Sequence, residues 1–230
     1  MTLRILPAVL FAAALGAPAF AQEGGTKTAP ASTPKDIAKD ADDAKPVVLA
    51  VGSTLAADVA LTDLDGKEFK FGDLRGKTVV IHFWSITCPW EKVAEPKLQQ
   101  IATDYKDKDV VVLAINANAA EIGAQPVAAD FQAEDAKKKP YAGIRKHIAK
   151  TEFNHKVLVD HSGDVARLFA AKTTPHCFVL SGEGKVAYSG ALDNDGKGTL
   201  GDKAEHYVRL AVDAVKAGKE VGTSSTRPYG

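Results

Sequence analysis

Two mostly apolar runs mark the centre of the chain. Residues 79–84 read Val-Val-Ile-His-Phe-Trp, and residues 110–115 read Val-Val-Val-Leu-Ala-Ile. Runs of this length without alternation are typical of strands that are buried on both faces. Between them, apolar residues recur at helical spacing from Val93 to Tyr105, interrupted by Pro96. A strand, a helix and a second strand in this order predict a right-handed parallel crossover and therefore an α/β fold.

Weaker patterns predict the remaining elements. Residues 61–71 alternate on both sides of Asp65-Gly66, which is the strongest short signal for a β-hairpin. Residues 119–150 are polar and alanine-rich, and we interpret them as an insertion of one or two helices, one of them over residues 141–148. The other predicted elements are a strand at 157–159, a helical turn at 164–169, a hairpin turn at 181–184, its return strand at 185–188 and a closing helix at 202–217.

The N-terminal residues follow a different pattern. Arg4 precedes an apolar stretch at residues 5–15, and residues 19–21 (Ala-Phe-Ala) form a small-x-small cleavage motif. This combination predicts a secretory signal peptide over residues 1–21, cut after Ala21, because the apolar stretch is too short to span a membrane. The mature protein is then expected to be secreted or periplasmic, without membrane attachment.

Composition indicates where the folded domain begins and which class of partner the chain does not favour. Residues 22–46 are rich in Ala, Lys, Asp, Thr and Pro and predict a disordered linker, which leaves residues 47–230 as one domain. The formal net charge of the 230-residue chain is zero, so nothing favours a nucleic-acid partner. No glycine-rich phosphate loop follows a strand, and we predict no cofactor.

The chain has two cysteines, Cys88 and Cys177, which are too few for a disulfide scaffold. Cys88 directly follows the first apolar run, and Pro89 is suited to the first turn of the helix after it. The free amides and the dipole at the start of a helix favour a thiolate, which is the nucleophilic form. Cys88 is therefore the candidate nucleophile, although a free cysteine can also be a small core residue.

These residues resemble the active-site segment of thioredoxin-fold proteins, which reads Phe-Trp-x-x-Trp-Cys-Gly-Pro-Cys and continues into a helix with a proline. The matching residues are Phe83, Trp84, Cys88 and Pro96. Thr87 replaces the second tryptophan, and Glu91 replaces the second cysteine. The lead-in Leu-x-Gly-Lys-x-Val-Val at residues 74–80 resembles the redoxin branch, which includes the alkyl hydroperoxide reductase/thiol-specific antioxidant proteins. The resemblance implies a thioredoxin fold: a central mixed β-sheet flanked by helices, here with an N-terminal hairpin extension and a helical insertion.

The resemblance also implies roles for single residues. In thioredoxin-like proteins a Thr-Pro pair forms a cis proline that faces the active cysteine; here that pair is Thr174-Pro175, although Pro175 alone would equally suit the start of an edge strand. His82 occupies the place of a buried proton acceptor, and a core histidine is the alternative. The residues expected to take part in catalysis are Cys88, His82, Thr87 and Glu91. The residues expected to line the substrate groove are Trp84, Pro89, Trp90, Thr174, Pro175 and His176.

Glu91 limits the redox chemistry that fits this segment. A carboxylate cannot resolve a mixed disulfide, and an acid in the first turn is expected to interact mainly with the helix dipole. Peroxide reduction through a sulfenic acid needs only one cysteine. Ser85, Cys88 and Glu91 fit a thiol-peroxidase pattern, but Ile81 stands where that pattern has a proline. The candidates for the arginine that such enzymes place near the thiolate are Arg145 and Arg167.

A second thiol is available only from Cys177 or from outside the chain. Cys177 lies two residues beyond Pro175 and on the same face of its strand, so it is a possible resolving thiol. A buried core cysteine is the interpretation we favour. Residues 226–230 resemble the tails of redoxins that carry a cysteine just beyond the glycine, and that thiol is absent if the chain is complete at Gly230.

We therefore expect an extracytoplasmic thiol-dependent oxidoreductase that reduces disulfides or peroxides through a single nucleophilic cysteine. Its expected partners are a thiol electron donor or a disulfide-bearing protein substrate. Two alternatives remain open. One is a catalytically silent binding module that docks an extended partner along Thr174-Pro175. The other is a copper-binding chaperone that uses Cys88, Cys177 and His176, since sulfur and imidazole suit copper.

Overall fold

The computed structural model describes residues 48–135 and 137–230. The predicted signal peptide and the predicted linker, residues 1–21 and 22–46, lie outside the described residues. Among the helices of the described ranges, none combines the length and the apolar composition that crossing a membrane requires.

A mixed β-sheet of seven strands forms the centre of the part of the chain that the structure describes. The strands are β1 (Ala60–Asp63), β2 (Glu68–Lys70), β3 (Thr78–Phe83), β4 (Val110–Asn116), β5 (Lys156–Val159), β6 (His176–Leu180) and β7 (Val186–Gly190). Their spatial order is β2-β1-β5-β4-β3-β6-β7. β3, β4 and β5 pair in parallel, as the predicted crossover requires, and the other neighbours are antiparallel.

Helices flank this sheet, and together they form the predicted thioredoxin fold. The helices are α1 (Glu91–Asp104), α2 (Ala119–Ile122), α3 (Ala142–Thr151), α4 (Asp164–Leu168) and α5 (Tyr207–Lys216). α1 contains Pro96, as predicted, and α3 coincides with the helix predicted at 141–148. The closing helix is shorter than predicted, because Gly201–Lys203 forms a separate 3₁₀ turn and Ala204 is extended.

The central strands are buried on both faces, which explains why their sequences are mostly apolar. All six residues of β3 are buried. Val79, Ile81 and Phe83 lie in one apolar core cluster, whereas Val80 lies in a second cluster on the other face, among residues of α1 and α5. His82 faces the same side as Val80 by alternation, and its ring is fully buried. The site supplies a hydrogen-bond partner for Nε2 of this ring, whereas Nδ1 has none among the described residues.

The N-terminal hairpin extends one edge of the sheet. β1 and β2 pair across the predicted Asp65-Gly66 turn, with Leu61 opposite Phe69. Gly66 has a φ of +76°, in the left-handed region that favours glycine. A Cβ at this position would also come within 2.7 Å of the ring of Phe131. Because β1 pairs with β5, the predicted hairpin extension is confirmed.

Removing Phe178 should destabilise the fold strongly. Phe178 is fully buried, and its ring centroid lies 4.9 Å from that of Phe169 and 5.8 Å from that of Phe83. We expect Phe178→Ala to lower the free energy of unfolding by about 3–5 kcal/mol, through lost apolar burial and a cavity. Urea denaturation measures the change. Leu210→Ala, at a residue that is 54% exposed, is the control and should change it by no more than about 0.5 kcal/mol. Similar losses for both variants would contradict the assigned core.

Candidate active site

Cys88 lies in the loop between β3 and α1, at the carboxyl end of a central parallel strand. Regular helical structure begins at Glu91. Pro89 and Trp90 form a tighter turn before it, in which the amide of Glu91 donates to the carbonyl of Cys88 over 3.2 Å. Cys88 therefore lies three residues before the first residue of α1, and Pro89, predicted as the first helical residue, lies in the turn between them. Cys88 is partly exposed, as a reacting thiol requires.

The loop before β6 meets Cys88 at the same edge of the sheet. The peptide bond between Thr174 and Pro175 is cis, which confirms the prediction. The thiol of Cys88 donates to the carbonyl oxygen of Thr174, with 2.9 Å between Sγ and the oxygen. Pro175 itself is buried, and Thr174 is the partly exposed residue of the pair. Thr174 therefore supplies the backbone that faces the thiol.

Glu121 holds the residues in front of Cys88. Its carboxylate accepts hydrogen bonds from the backbone amides of Ile86, at 3.0 Å, and Thr87, at 2.9 Å. Its other donors are the hydroxyls of Ser85 and Thr87 and the side-chain amides of Asn116 and Asn118. Burial by itself would raise the pKa of Glu121, but the hydrogen bonds outweigh burial and lower that pKa. The carboxylate is therefore ionised at neutral pH.

Glu121 was not among the site residues predicted from the sequence. The sequence around Glu121 indicates only the start of α2, where the side chain of Asn118 accepts a hydrogen bond from the amide of Ala120 over 3.1 Å. An asparagine cap followed three residues later by a glutamate indicates a helix start. That signal does not reveal that the carboxylate reaches a loop 34–36 residues earlier in the chain.

His82 and Glu91 form a buried pair next to this loop. Nε2 of His82 lies 3.0 Å from each carboxyl oxygen of Glu91, and Glu91 is only 4% exposed. Burial, together with the charges of Glu95 and Glu121, raises the pKa of Glu91 to about 9. Burial lowers the pKa of His82 to about 3. At neutral pH the carboxylic acid therefore donates its proton to Nε2, in a hydrogen bond between two neutral groups.

This pair corrects the expectation for Glu91. From the sequence, its carboxylate is expected at the helix start, as a charge that interacts with the helix dipole. The side chain instead turns inward to His82, because the same helical turn that exposes Pro89 and Lys92 buries position 91. As a neutral acid, Glu91 puts no opposing negative charge beside Cys88.

Trp84 supports the site from the core. Its indole is 1% exposed and donates to Oε2 of Glu95 over 3.1 Å. Nε2 of His147 lies 2.8 Å from the same oxygen, and the ring of Phe153 packs 5.1 Å from the indole. The indole is almost entirely buried, but Trp84 is among the residues that line the cavity beside Thr174, so its predicted groove role stays a prediction.

Cys177 is buried within the second core cluster and lies opposite His82 in the pairing of β3 with β6. Burial raises the pKa of its thiol well above the usual value. Cys88 and Cys177 are both free thiols in this structure. The structure thus places Cys177 in the core, as the favoured interpretation had it, and away from the solvent in which a resolving thiol would react.

His176 is also buried, but on the opposite face of β6. Its ring packs 4.4 Å from that of Phe178. Nδ1 accepts from the amide of Lys172, and Nε2 pairs with the hydroxyl of Ser189, each over 3.3 Å. Alternation along β6 separates His176 from Cys177, so the proposed copper ligands do not converge. Within the described ranges, no group of three or more His, Cys, Asp or Glu side chains is arranged to hold a metal ion.

The remaining predicted residues surround Cys88 at the surface. Thr87 and Pro89 are exposed, and the partly exposed ring of Trp90 packs 5.8 Å from that of Tyr229. A cavity of about 370 Å³ opens beside the Thr174 loop, and its walls include Ser85. The two candidate arginines bind carboxylates elsewhere: Arg145 binds Asp65 at 2.8 Å, and Arg167 binds Asp164 at 2.6 Å.

Comparison with known sequences supports a redox family. Residues 53–189 match the model of the AhpC/TSA family. The thiol-disulfide oxidoreductase ResA of Geobacillus kaustophilus is 36% identical over 138 residues, which cover 60% of this chain and 67% of that protein. The ResA protein of Bacillus thuringiensis subsp. konkukian is 24% identical over 132 residues, covering 57% of this chain and 64% of the relative. The match to the latter therefore spans less than two thirds of its length.

Two solved structures share the architecture. A hypothetical protein from Sinorhizobium meliloti 1021 superposes with a TM-score of 0.61 at 26% identity, covering 79% of this chain and 92% of that one. An uncharacterized conserved protein from Geobacillus kaustophilus superposes with a TM-score of 0.60 at 25% identity, covering 80% and 95%.

The protonation of Glu91 can be tested through stability. The pKa of Glu91 is raised from its ordinary value of 4.5 to about 9 in the folded state. Between these two pH values the folded protein holds a proton that the unfolded chain has already released. Wild-type stability should therefore fall across this window relative to Glu91→Gln, which keeps a neutral partner for His82. Each pKa unit corresponds to about 1.4 kcal/mol, so the trend is measurable from urea midpoints. A pH-independent difference would mean that Glu91 is ionised in the folded protein.

The anchoring role of Glu121 predicts the opposite pH trend. We expect Glu121→Gln to lower the free energy of unfolding by about 1–2 kcal/mol at pH 7, because amide and hydroxyl donors lose a charged acceptor that is partly exposed to solvent. Its pKa is lowered in the folded state, so this stabilisation is present above the ordinary pKa of 4.5 and is lost as the pH falls below it. Urea titrations at pH 7 and in mild acid measure both effects. Glu220→Gln, at an exposed residue, is the matched control.

Proposed function

Because this chain belongs to the AhpC/TSA family, we propose that it is a thiol-dependent oxidoreductase in which Cys88 is the attacking nucleophile. The observation that carries the proposal is the partly exposed thiol in the turn before α1, hydrogen-bonded to the Thr174 carbonyl of the cis-proline loop. The relatives named thiol-disulfide oxidoreductase support a thiol-dependent redox function at this level.

The proposed reaction with a disulfide has two exchanges. The thiolate of Cys88 attacks one sulfur of the substrate, a new S–S bond forms to Cys88, and the other substrate sulfur leaves as a thiolate. Position 91 is a glutamate, and Cys177 is buried. The second exchange therefore needs a thiol from an electron donor, which attacks the mixed disulfide and returns Cys88 to its reduced form.

Peroxide reduction is the alternative for the same thiolate. Cys88 attacks one peroxide oxygen, the O–O bond breaks, and water or an alcohol leaves while Cys88 becomes a sulfenic acid. Two donor thiols then reduce the sulfenic acid with release of water. Both candidate arginines of the peroxidase pattern are engaged with carboxylates, so we favour disulfide exchange.

His82 acts through Glu91 in this proposal. Its Nε2 is already paired with Glu91, and its pKa of about 3 does not suit a base at neutral pH. We infer that His82 positions the acid and keeps it protonated, so that a thiolate at Cys88 meets no second negative charge from Glu91. His82 is therefore a positioning residue rather than the proton acceptor of the original expectation.

The proposed setting is extracytoplasmic. The predicted signal peptide at residues 1–21 supports this localisation, and the expected partners are a thiol electron donor and a disulfide-bearing substrate. Residues 47–230 form the proposed redox domain.

Selective reaction of Cys88 tests the proposal. The oxidised substrate is a small disulfide, dithiothreitol is the electron donor, and mass spectrometry locates the adduct. We expect a mixed disulfide on Cys88 that the donor releases, no adduct in Cys88→Ser, and unchanged reaction in Cys177→Ser. A hydrogen peroxide arm with a sulfenic-acid probe reports the alternative chemistry. If Cys88 forms neither adduct, the protein is not an oxidoreductase of this type, and a silent binding module becomes the better description.

A further inference from the structure

Residues 224–230, which we name the C-terminal strap, cross from the edge of the sheet to the active site. The strap begins beside β7, where the amide of Ser189 donates to Ser224 and the amide of Thr226 donates to Ser189, each over 3.1 Å. The hydroxyl of Thr226 accepts from the amide of Ala191 over 2.9 Å and pairs with the hydroxyl of Tyr188 over 2.6 Å. These bonds fix the start of the strap to the fold.

The far end of the strap lies on both loops of the site. The ring of Tyr229 packs 5.8 Å from that of Trp90, two residues after Cys88, and its hydroxyl donates to the buried carboxylate of Asp193 over 3.0 Å. Gly230 lies against the cis-proline loop: a Cβ there would come within 2.5 Å of the Thr174 carbonyl oxygen. This is the oxygen that accepts the thiol of Cys88.

The strap packs closely against two glycines of the fold. A Cβ at Gly190 would come within 2.2 Å of the Thr226 hydroxyl, and a Cβ at Gly196 within 2.9 Å of the Tyr229 ring. Glycine at both positions lets the backbone of the fold approach the strap, since any other residue would need the strap to move. The strap is therefore seated in a surface shaped for it.

The strap leaves the other side of Thr174 open. Ser85 and Asn118 border the 370 Å³ cavity beside Thr174. Neither Tyr229 nor Gly230 lines it. An extended polypeptide usually gains its affinity from hydrogen bonds to exposed backbone, and here the backbone at Thr174 is already covered on one side. Cys88 does not line this cavity, but its side chain is partly exposed, and a small disulfide needs only that exposed sulfur.

We propose that the C-terminal strap is a specificity-determining element, an inference that rests on the proposed function. The strap keeps extended polypeptides off Thr174 and leaves Cys88 open to small disulfides. The strap is part of the same chain, so it competes with any polypeptide at a high effective concentration. A small disulfide does not compete with it, because reaction at the partly exposed sulfur of Cys88 needs no hydrogen bonds to the Thr174 backbone.

Two probes with the same leaving group test this inference on the full chain. One is the mixed disulfide of 2-mercaptoethanol with 2-thiopyridine; the other is an extended peptide of about ten residues whose central cysteine carries the same 2-thiopyridyl group. In both, the Cys88 thiolate breaks the S–S bond of the probe, forms a new S–S bond, and releases 2-thiopyridone with the electron pair. Absorbance of the released product gives the two rates.

Two strap variants are compared with wild type. Deletion of residues 227–230 removes Tyr229 and Gly230 but keeps Thr226, and Tyr229→Ala is a milder change should the deletion disturb folding. We expect either variant to speed the peptide reaction by about tenfold and to change the small-probe rate by less than about twofold. Leu210→Ala, on an exposed face of α5, should change neither rate. Cys177 staying unlabelled in the variants confirms that the core is intact.

The outcomes separate the two proposals. If the ratio of the two rates is unchanged in both strap variants, or if both rates rise together, the strap does not select substrates and this inference is overturned. If Cys88 reacts with neither probe, or if Cys88→Ser reacts as wild type does, the proposed function itself fails. A rise in the peptide rate alone supports both.

Discussion

The antiparallel pairing of β3 with β6 is the constraint on which the site depends. Because Phe83 lies opposite His176, the chain leaves β3 toward Cys88 at the same edge where it enters β6 from Thr174. The 2.9 Å contact between Sγ and the Thr174 carbonyl follows from this register. A slip of one residue would turn His82 to the other face and part it from Glu91. Burial of every β3 side chain, on both faces, opposes such a slip.

Acids around Cys88 differ in charge because their partners differ. Glu91 is buried against the imidazole of His82 and stays protonated, whereas Glu121 accepts hydrogen bonds from amide and hydroxyl groups and stays ionised. A buried carboxylate without compensation is costly, and protonation removes most of that cost. The position that holds a second thiol in related segments thus holds a neutral acid, which explains how an acid here is compatible with the proposed nucleophile.

The two sides of Cys88 are built for different tasks. On one side, Glu121 fixes Ser85 and Thr87 through hydrogen bonds, next to a cavity that remains open. On the other side, the ring of Tyr229 packs against that of Trp90, and Gly230 lies against the cis-proline loop. In the proposed mechanism the supported loop holds the partly exposed sulfur in place, and the strap limits what approaches it along Thr174.

The sequence by itself determined the α/β class, the central strands, the hairpin at Asp65-Gly66 and the helix after Cys88, because burial period and turn chemistry are local properties. The resemblance to thioredoxin-fold proteins added the cis proline. Only the tertiary structure decided that Glu91 points inward, that His176 and Cys177 face apart, and that Glu121 reaches the Cys88 loop. These facts depend on contacts between segments far apart in the chain, and periodicity reports that a side chain is buried without reporting what it meets.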